Sequence, residues 1–187
     1  HPTFASAWAG SNTYFVFQPA ISKKDNAPFK CKNGDLYGDA VIGRVAPSKW
    51  KGMTAYGGMY TTQDGGNEER TFACASAAGD HFACTTHLST TKSTALAQCK
   101  ALTFDTIPYL KSLGASGPTV VGGDLNLKYD SGNSLSAQNC VPNGYTRKGD
   151  GSVQHILFSN DLKFKDSSKV AVPYTDHPGW LVELTRS

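Results

Sequence analysis

Apolar residues along this chain fall first into short runs of strand character. TYFVFQP (13–19) and DAVIGRV (39–45) combine aromatic and β-branched residues over the length of a strand. Two further arms, TFACASA (71–77) and HFACTTHL (81–88), flank the turn Ala78-Gly79-Asp80 and predict a hairpin. The period then changes. From Ser93 to Leu113 apolar residues recur at helical spacing, Ala97, Leu102, Ile107 and Leu110 among them. Thr90 and Thr91 offer N-caps and Gly114 stands just past the end, while Pro108 is expected to kink the helix or end it early. Beyond it come a strand in PTVVGGDLN (118–126), an irregular Gly/Ser/Asn stretch from Asp130 to Gly151, a strand in VQHILFS (153–159) and the apolar tail KVAVPYTDHPGWLVELT (169–185). Strands dominate and one helix crosses between two of them, which predicts a layered α/β or α+β sheet protein.

The hairpin carries a further consequence. If Ala77 and His81 pair, Cys74 and Cys84 stand directly opposite, close enough for a disulfide. Cys99 and Cys140 are the natural second couple, which leaves Cys31 odd. None of the five cysteines forms a C-x-x-C pair, which argues against zinc or thioredoxin chemistry, and disulfides imply a secreted, extracellular protein. The 187 residues suit a single domain, 1–187, with no linker, repeat or low-complexity tract. No apolar run is long enough for stable membrane insertion. The net charge of +3 mildly favours polyanionic partners. The chain opens on His1-Pro2 rather than Met, as a processed or truncated product would.

Chemistry-bearing residues stand at the ends of the apolar runs. His87 closes ACTTH, Asp124 and Asn126 close VVGGDLN, and Asp176-His177 precedes PGWLVEL. Arg70 precedes the first hairpin arm and Tyr37 precedes DAVIGRV. Singly, each has an ordinary structural role: core histidine, turn former, surface charge or core aromatic. Together they form a pattern. The pieces YGDAVIGR, EERTFACAS, FACTTHLS, VVGGDLNLKY, VQHILFSNDL and YTDHPGW, spanning about Leu36 to Leu184, resemble the endonuclease/exonuclease/phosphatase superfamily, the family of deoxyribonuclease I and the abasic-site endonucleases. GDLN and TDHP are its most specific elements.

That resemblance implies a four-layer α/β sandwich of two packed, mainly antiparallel sheets flanked by helices, with the site at one sheet edge. It implies a divalent-metal-dependent phosphodiester hydrolase. His177 would act as general base or electrostatic partner, Asp124 would orient the nucleophilic water, and Asn126 would donate to a phosphate oxygen. His87 and Tyr37 would donate as negative charge builds, and Arg70 would contact the phosphate. Asp176 would help ligate Mg²⁺, or another divalent cation such as Mn²⁺ or Ca²⁺. Two departures stand out. The family's Asn-bearing first strand and Glu-bearing second strand have no match before Tyr37, and Glu68 and Glu69 lie in the wrong place for that Glu. Roughly the first quarter of the domain is expected to be missing, or to come from a separate N-terminal segment or chain that also supplies a partner for Cys31. Gln154 stands where the family has an Asp bonded to the catalytic histidine; facing His177, it could fix the tautomer but supply no charge. His155, next along, is expected to be structural. The first expectation is a secreted nuclease acting on DNA. A phospholipid-directed phosphodiesterase or phosphatase on the same scaffold (sphingomyelinase-like or phosphoinositide phosphatase-like) stays open, as does a silent binding domain. The loops 50–66 and 130–151 would set substrate choice.

Overall fold

The structure is a computed structural model that describes residues 12–187. In chain order it contains β1 (Thr13–Pro19), β2 (Ile21–Ser22), β3 (Ala27–Pro28), β4 (Gly38–Arg44), β5 (Met53–Met59), β6 (Glu68–Glu69), β7 (Thr71–Ala77) and β8 (His81–His87). The helical segments α1 (Lys92–Lys100) and α2 (Ile107–Ser112) follow, then β9 (Thr119–Asp124), β10 (Tyr145–Gly149), β11 (Gln154–Ser159), β12 (Leu162–Val170) and β13 (Gly179–Arg186). Six strands form the central sheet in the order β10-β11-β9-β8-β7-β5. Every neighbour in it is antiparallel except β8 and β9, the two strands that the helix connects.

Side-chain size decides how this sheet is covered. All seven residues of β7 are buried, so both its faces are used. Ala73, Ala75 and Ala77 lie in one core with Tyr14, Val16, Val41 and Val45 of the β1–β4 pair. Cys74, Cys84, Val121 and Leu157 point the other way, into a core with Leu96, Cys99, Leu102, Ile107 and Leu110 of the helix. The result is the layered α/β arrangement expected from the sequence. The long hairpin β12–β13 is largely exposed and touches the sheet near β11, where Trp180 Nε1 donates to the carbonyl of Lys148 at 3.2 Å.

The hairpin register is the one the cysteines demand: Ala77 pairs with His81, and Cys74 with Cys84. Disulfides join Cys74 to Cys84 and Cys99 to Cys140, and Cys31 is free and exposed. The second bridge ties α1 to a short 3-10 turn, Ala137–Cys140.

Pro108 does not end the helix. Between α1 and α2 the chain runs as a π-helix, Ala101–Thr106, in which the Ile107 N–H donates to the carbonyl of Leu102, five residues back. The wider turn accommodates a residue that has no N–H to give and whose ring clashes with a normal α-turn. At the far end Gly114 takes the left-handed conformation (φ 108°) of a C-terminal cap. Thr91 is the N-cap residue, but its side chain makes no cap bond; its own N–H donates to Ser89 Oγ at 3.0 Å.

Three strands lie in or beside segments that were read as irregular. β5 falls inside 50–66 and was obscured by Gly57 and Gly58. Gly58 lies against the Phe72 ring, which a Cβ there would meet at 2.9 Å. β10 falls inside 130–151 and β12 follows β11; the first is polar and half-buried, the second polar and largely exposed, and neither alternates cleanly.

Candidate functional site

His87 and Asp124 are the last residues of β8 and β9, and the parallel ladder sets them side by side at the sheet's edge. The strand can come this close because Gly123 has φ 151° and sits against Thr86; a Cβ there would lie 2.0 Å from the Thr86 carbonyl oxygen. Asp124 then turns the chain. Its Oδ1 accepts the Asn126 N–H at 2.8 Å, with Asn126 at φ 51°, and Asn126 Nδ2 donates to the carbonyl of Leu88 at 2.8 Å. The turn therefore uses one oxygen of Asp124 and leaves the other for the site. Gln154 pairs with Asp124 across the antiparallel β9–β11 ladder, and its Nε2 donates to Asp124 Oδ2 at 3.0 Å. His177 Nε2 lies 3.6 Å from that same oxygen and 3.7 Å from Asp176 Oδ2.

A second group adjoins His87. Tyr37 Oη lies 3.1 Å from His87 Nδ1. Arg70 Nη2 pairs with Glu68 Oε1 at 2.6 Å, and the Arg70 side chain is only 11% exposed. Its Nε and Nη1 are buried without a partner among the described residues. Thr71 Oγ1 donates to Asp39 Oδ2 at 3.1 Å. These residues converge on one narrow cleft, lined by Tyr37, Gly38, Asp39, Arg70, Thr71 and His87.

The electrostatics follow from burial. Burial first, then the Arg70 charge, holds the His87 imidazole below its ordinary value, so the ring is neutral at pH 7. Burial likewise raises the Tyr37 hydroxyl, which keeps its proton. Asp39 is pushed up to about 7, chiefly by burial, against the hydrogen bond from Thr71 and the Arg70 charge. Burial also lowers His155, which is 1% exposed and lies between Leu127 O (2.8 Å) and Arg147 Nη1 (3.1 Å), in the structural role expected of it.

Two expectations change. Gln154 spends its amide on Asp124, so the carboxylate facing His177 comes from the end of β9 rather than from position 154. Glu68 belongs at the cleft with Arg70, and Asp39 joins it. Asp176 is 93% exposed beside His177. No three His, Cys, Asp or Glu side chains among the described residues are grouped to hold a metal ion. Asp124 Oδ2 and Asp176 Oδ2 both lie near His177 Nε2, and two carboxylates suit Mg²⁺ only in its looser habit, completed by water and substrate phosphate.

Solved structures share this architecture. An endonuclease/exonuclease/phosphatase family protein from Bacteroides thetaiotaomicron matches with a TM-score of 0.56 at 14% identity, over 91% of this chain and 74% of that one. The fold is that of the endonuclease/exonuclease/phosphatase proteins. The mannosyl-6-phosphatase of Bacteroides thetaiotaomicron matches that fold with a TM-score of 0.59 at 13% identity, over 98% of this chain and 80% of that one. The human Nocturnin catalytic domain with bound sulfate matches with 0.58 at 18% identity, over 100% of this chain and 76% of that one. No family model and no curated protein matches the sequence. At these identities it is the endonuclease/exonuclease/phosphatase fold that the likeness establishes.

Proposed function

We propose that this protein hydrolyses phosphoesters, and that its substrate is a phosphodiester of nucleic acid. The observation that carries the reading is the cleft at the ends of β8 and β9: two unpartnered, buried Arg70 nitrogens beside Tyr37 and neutral His87, next to the Asp124–His177 pair. Arg70 already meets one carboxylate, Glu68, but buried guanidinium N–H groups left without a partner are costly unless a further anion or acceptor meets them. Nocturnin's catalytic domain holds a sulfate, a tetrahedral anion like phosphate, which supports the same reading.

The residues divide the work. With Tyr37, which keeps its proton, as donor to His87 Nδ1, the histidine's own proton would sit on Nε2, free to meet a phosphoryl oxygen. Arg70 supplies positive charge to those oxygens. His177 accepts a proton from the attacking water, and Asp124 stabilises the imidazolium that results. Gln154 and the Asn126 N–H hold Asp124 in place. A divalent metal ion, held by Asp176 and Asp124, would add charge neutralisation at the phosphoryl group. The two disulfides support secretion as the protein's setting.

Plasmid DNA, RNA, sphingomyelin and bis(p-nitrophenyl) phosphate, each offered with Mg²⁺ and with EDTA, test the proposal. Turnover of DNA and of the small diester with Mg²⁺, abolished by EDTA, is the expected result. Turnover of sphingomyelin alone would move the substrate to phospholipid, and turnover of nothing would leave a binding domain.

A further inference from the structure

Beside the candidate site lies a second, open cleft of about 550 Å³, lined by Ser22, Lys23, Lys24, Phe29, Gly66 and Asn67. It continues from the first along the backbone: Ala20 lines the Arg70 cleft and Ser22, two residues on, lines this one. Ser22 pairs with Glu68, the residue that holds Arg70. Phe29 faces Tyr37 edge-on with ring centroids 6.0 Å apart, and the Tyr37 N–H donates to the Phe29 carbonyl at 2.9 Å. An aromatic ring and two lysines thus stand one step away from the groups that meet the phosphoryl oxygens.

We infer that this cleft carries the strand of a single-stranded nucleic acid substrate away from the reacting phosphate, with a base on Phe29 and the next phosphates on Lys23 and Lys24. The inference rests on the phosphodiester reading above. Aromatic faces that stack bases, set between cations that track the backbone, are how single strands are held without sequence preference. Lys24 is exposed, as are Lys30 and Lys32 on the same arm. Lys23 Nζ bonds the Asp64 carbonyl, which holds the lysine over the cleft. Two carboxylates stand nearby, each with hydrogen-bond donors of its own: Asp64 accepts from Ser89 Oγ and the Gly66 N–H, and Asp25 is lowered mainly by its hydrogen bond from Ser22. An anionic lipid headgroup would use the lysines but has no use for the half-buried Phe29 ring, set at 66° to the half-buried Tyr37, so the ring favours a base.

The test compares wild type with Lys23→Ala/Lys24→Ala and with Phe29→Leu, which keeps the apolar volume and removes the π face. Binding of a fluorescent oligothymidine is measured by anisotropy across a salt series, and kcat/KM on that strand is divided by kcat/KM on bis(p-nitrophenyl) phosphate. Phe29→Leu is expected to weaken strand binding roughly 5- to 100-fold. The lysine pair is expected to flatten the slope of log K against log salt by about 1.4, two contacts at ~0.7 each. In both variants the strand-to-small-diester ratio is expected to fall, for Phe29→Leu by the same roughly 5- to 100-fold. Unchanged affinity, slope and ratio would overturn the inference. So would variants that bind oligothymidine normally but no longer bind vesicles of phosphatidylcholine with phosphatidylserine. If wild type hydrolyses neither substrate, the phosphodiester reading fails, and the anisotropy series alone decides whether the cleft holds a strand.

Discussion

Gln154 donates to Asp124 Oδ2, and His177 Nε2 lies 3.6 Å from that oxygen. A neutral amide at 154 is then a feature of the site, because a carboxylate there would face Asp124 across the ladder with like charge. Gln154→Glu removes the donor and adds that repulsion. It is expected to lower kcat on a phosphodiester about 10- to 100-fold, the weight of one hydrogen bond to a charged group. Equal or higher activity, which a carboxylate serving His177 directly would give, would contradict the geometry. Asp39 makes a separate prediction. Its folded value of about 7 lies above the ordinary 3.8, so the folded state binds this proton more tightly than the unfolded state does. The stability it contributes is complete below pH 3.8 and is lost as pH rises through about 7. Asp39→Asn is expected to stabilise the protein by on the order of 2 kcal/mol at pH 8 and by little at pH 4, read from thermal melts at the two values. A gain that does not grow with pH would mean that the carboxyl is not held protonated by burial.

Among the elements, the helix and the hairpin show what a sequence can disclose. The hairpin register was legible because a period of two fixes which residues oppose, and that alone placed Cys74 against Cys84. The helix was legible from its period, but its π-turn was not, since one proline admits a kink, a stop or a widened turn with equal economy. β5, β10 and β12 escaped notice because glycine, or polarity on both faces, removes the alternation that marks a strand. The disulfides differ in what they constrain. Cys99–Cys140 spans 41 residues and Cys74–Cys84 only 10. Replacing the first pair by serine is expected to cost ~3–4 kcal/mol, and replacing the second to cost less, by denaturant titration. The reverse order would show that strand pairing depends on the hairpin bridge more than the chain-entropy account allows.

At the scale of the whole molecule, a sheet with one parallel step places the ends of β8 and β9 together, and residues far apart in sequence meet there. His87, Asp124, Asn126 and His177 could be selected from the sequence because each closes or precedes an apolar run. Their division into an Asp124–His177 pair and an Arg70–Tyr37–His87 cleft could not, because it depends on which strand each residue's neighbour lies in. Glu68 and Asp39 were missed for the same reason. The proposed hydrolysis turns on His177, whose Nε2 lies 3.6 Å from the held Asp124 carboxylate and whose side chain is 40% exposed. The most direct measurement is the rate at which wild type and His177→Ala hydrolyse bis(p-nitrophenyl) phosphate in Mg²⁺, with thermal melts run alongside. The expected result is a loss of ~10²–10⁴-fold at an unchanged melting temperature. A variant that keeps more than about a tenth of the activity would contradict it, because a general base contributes at least ~10²-fold.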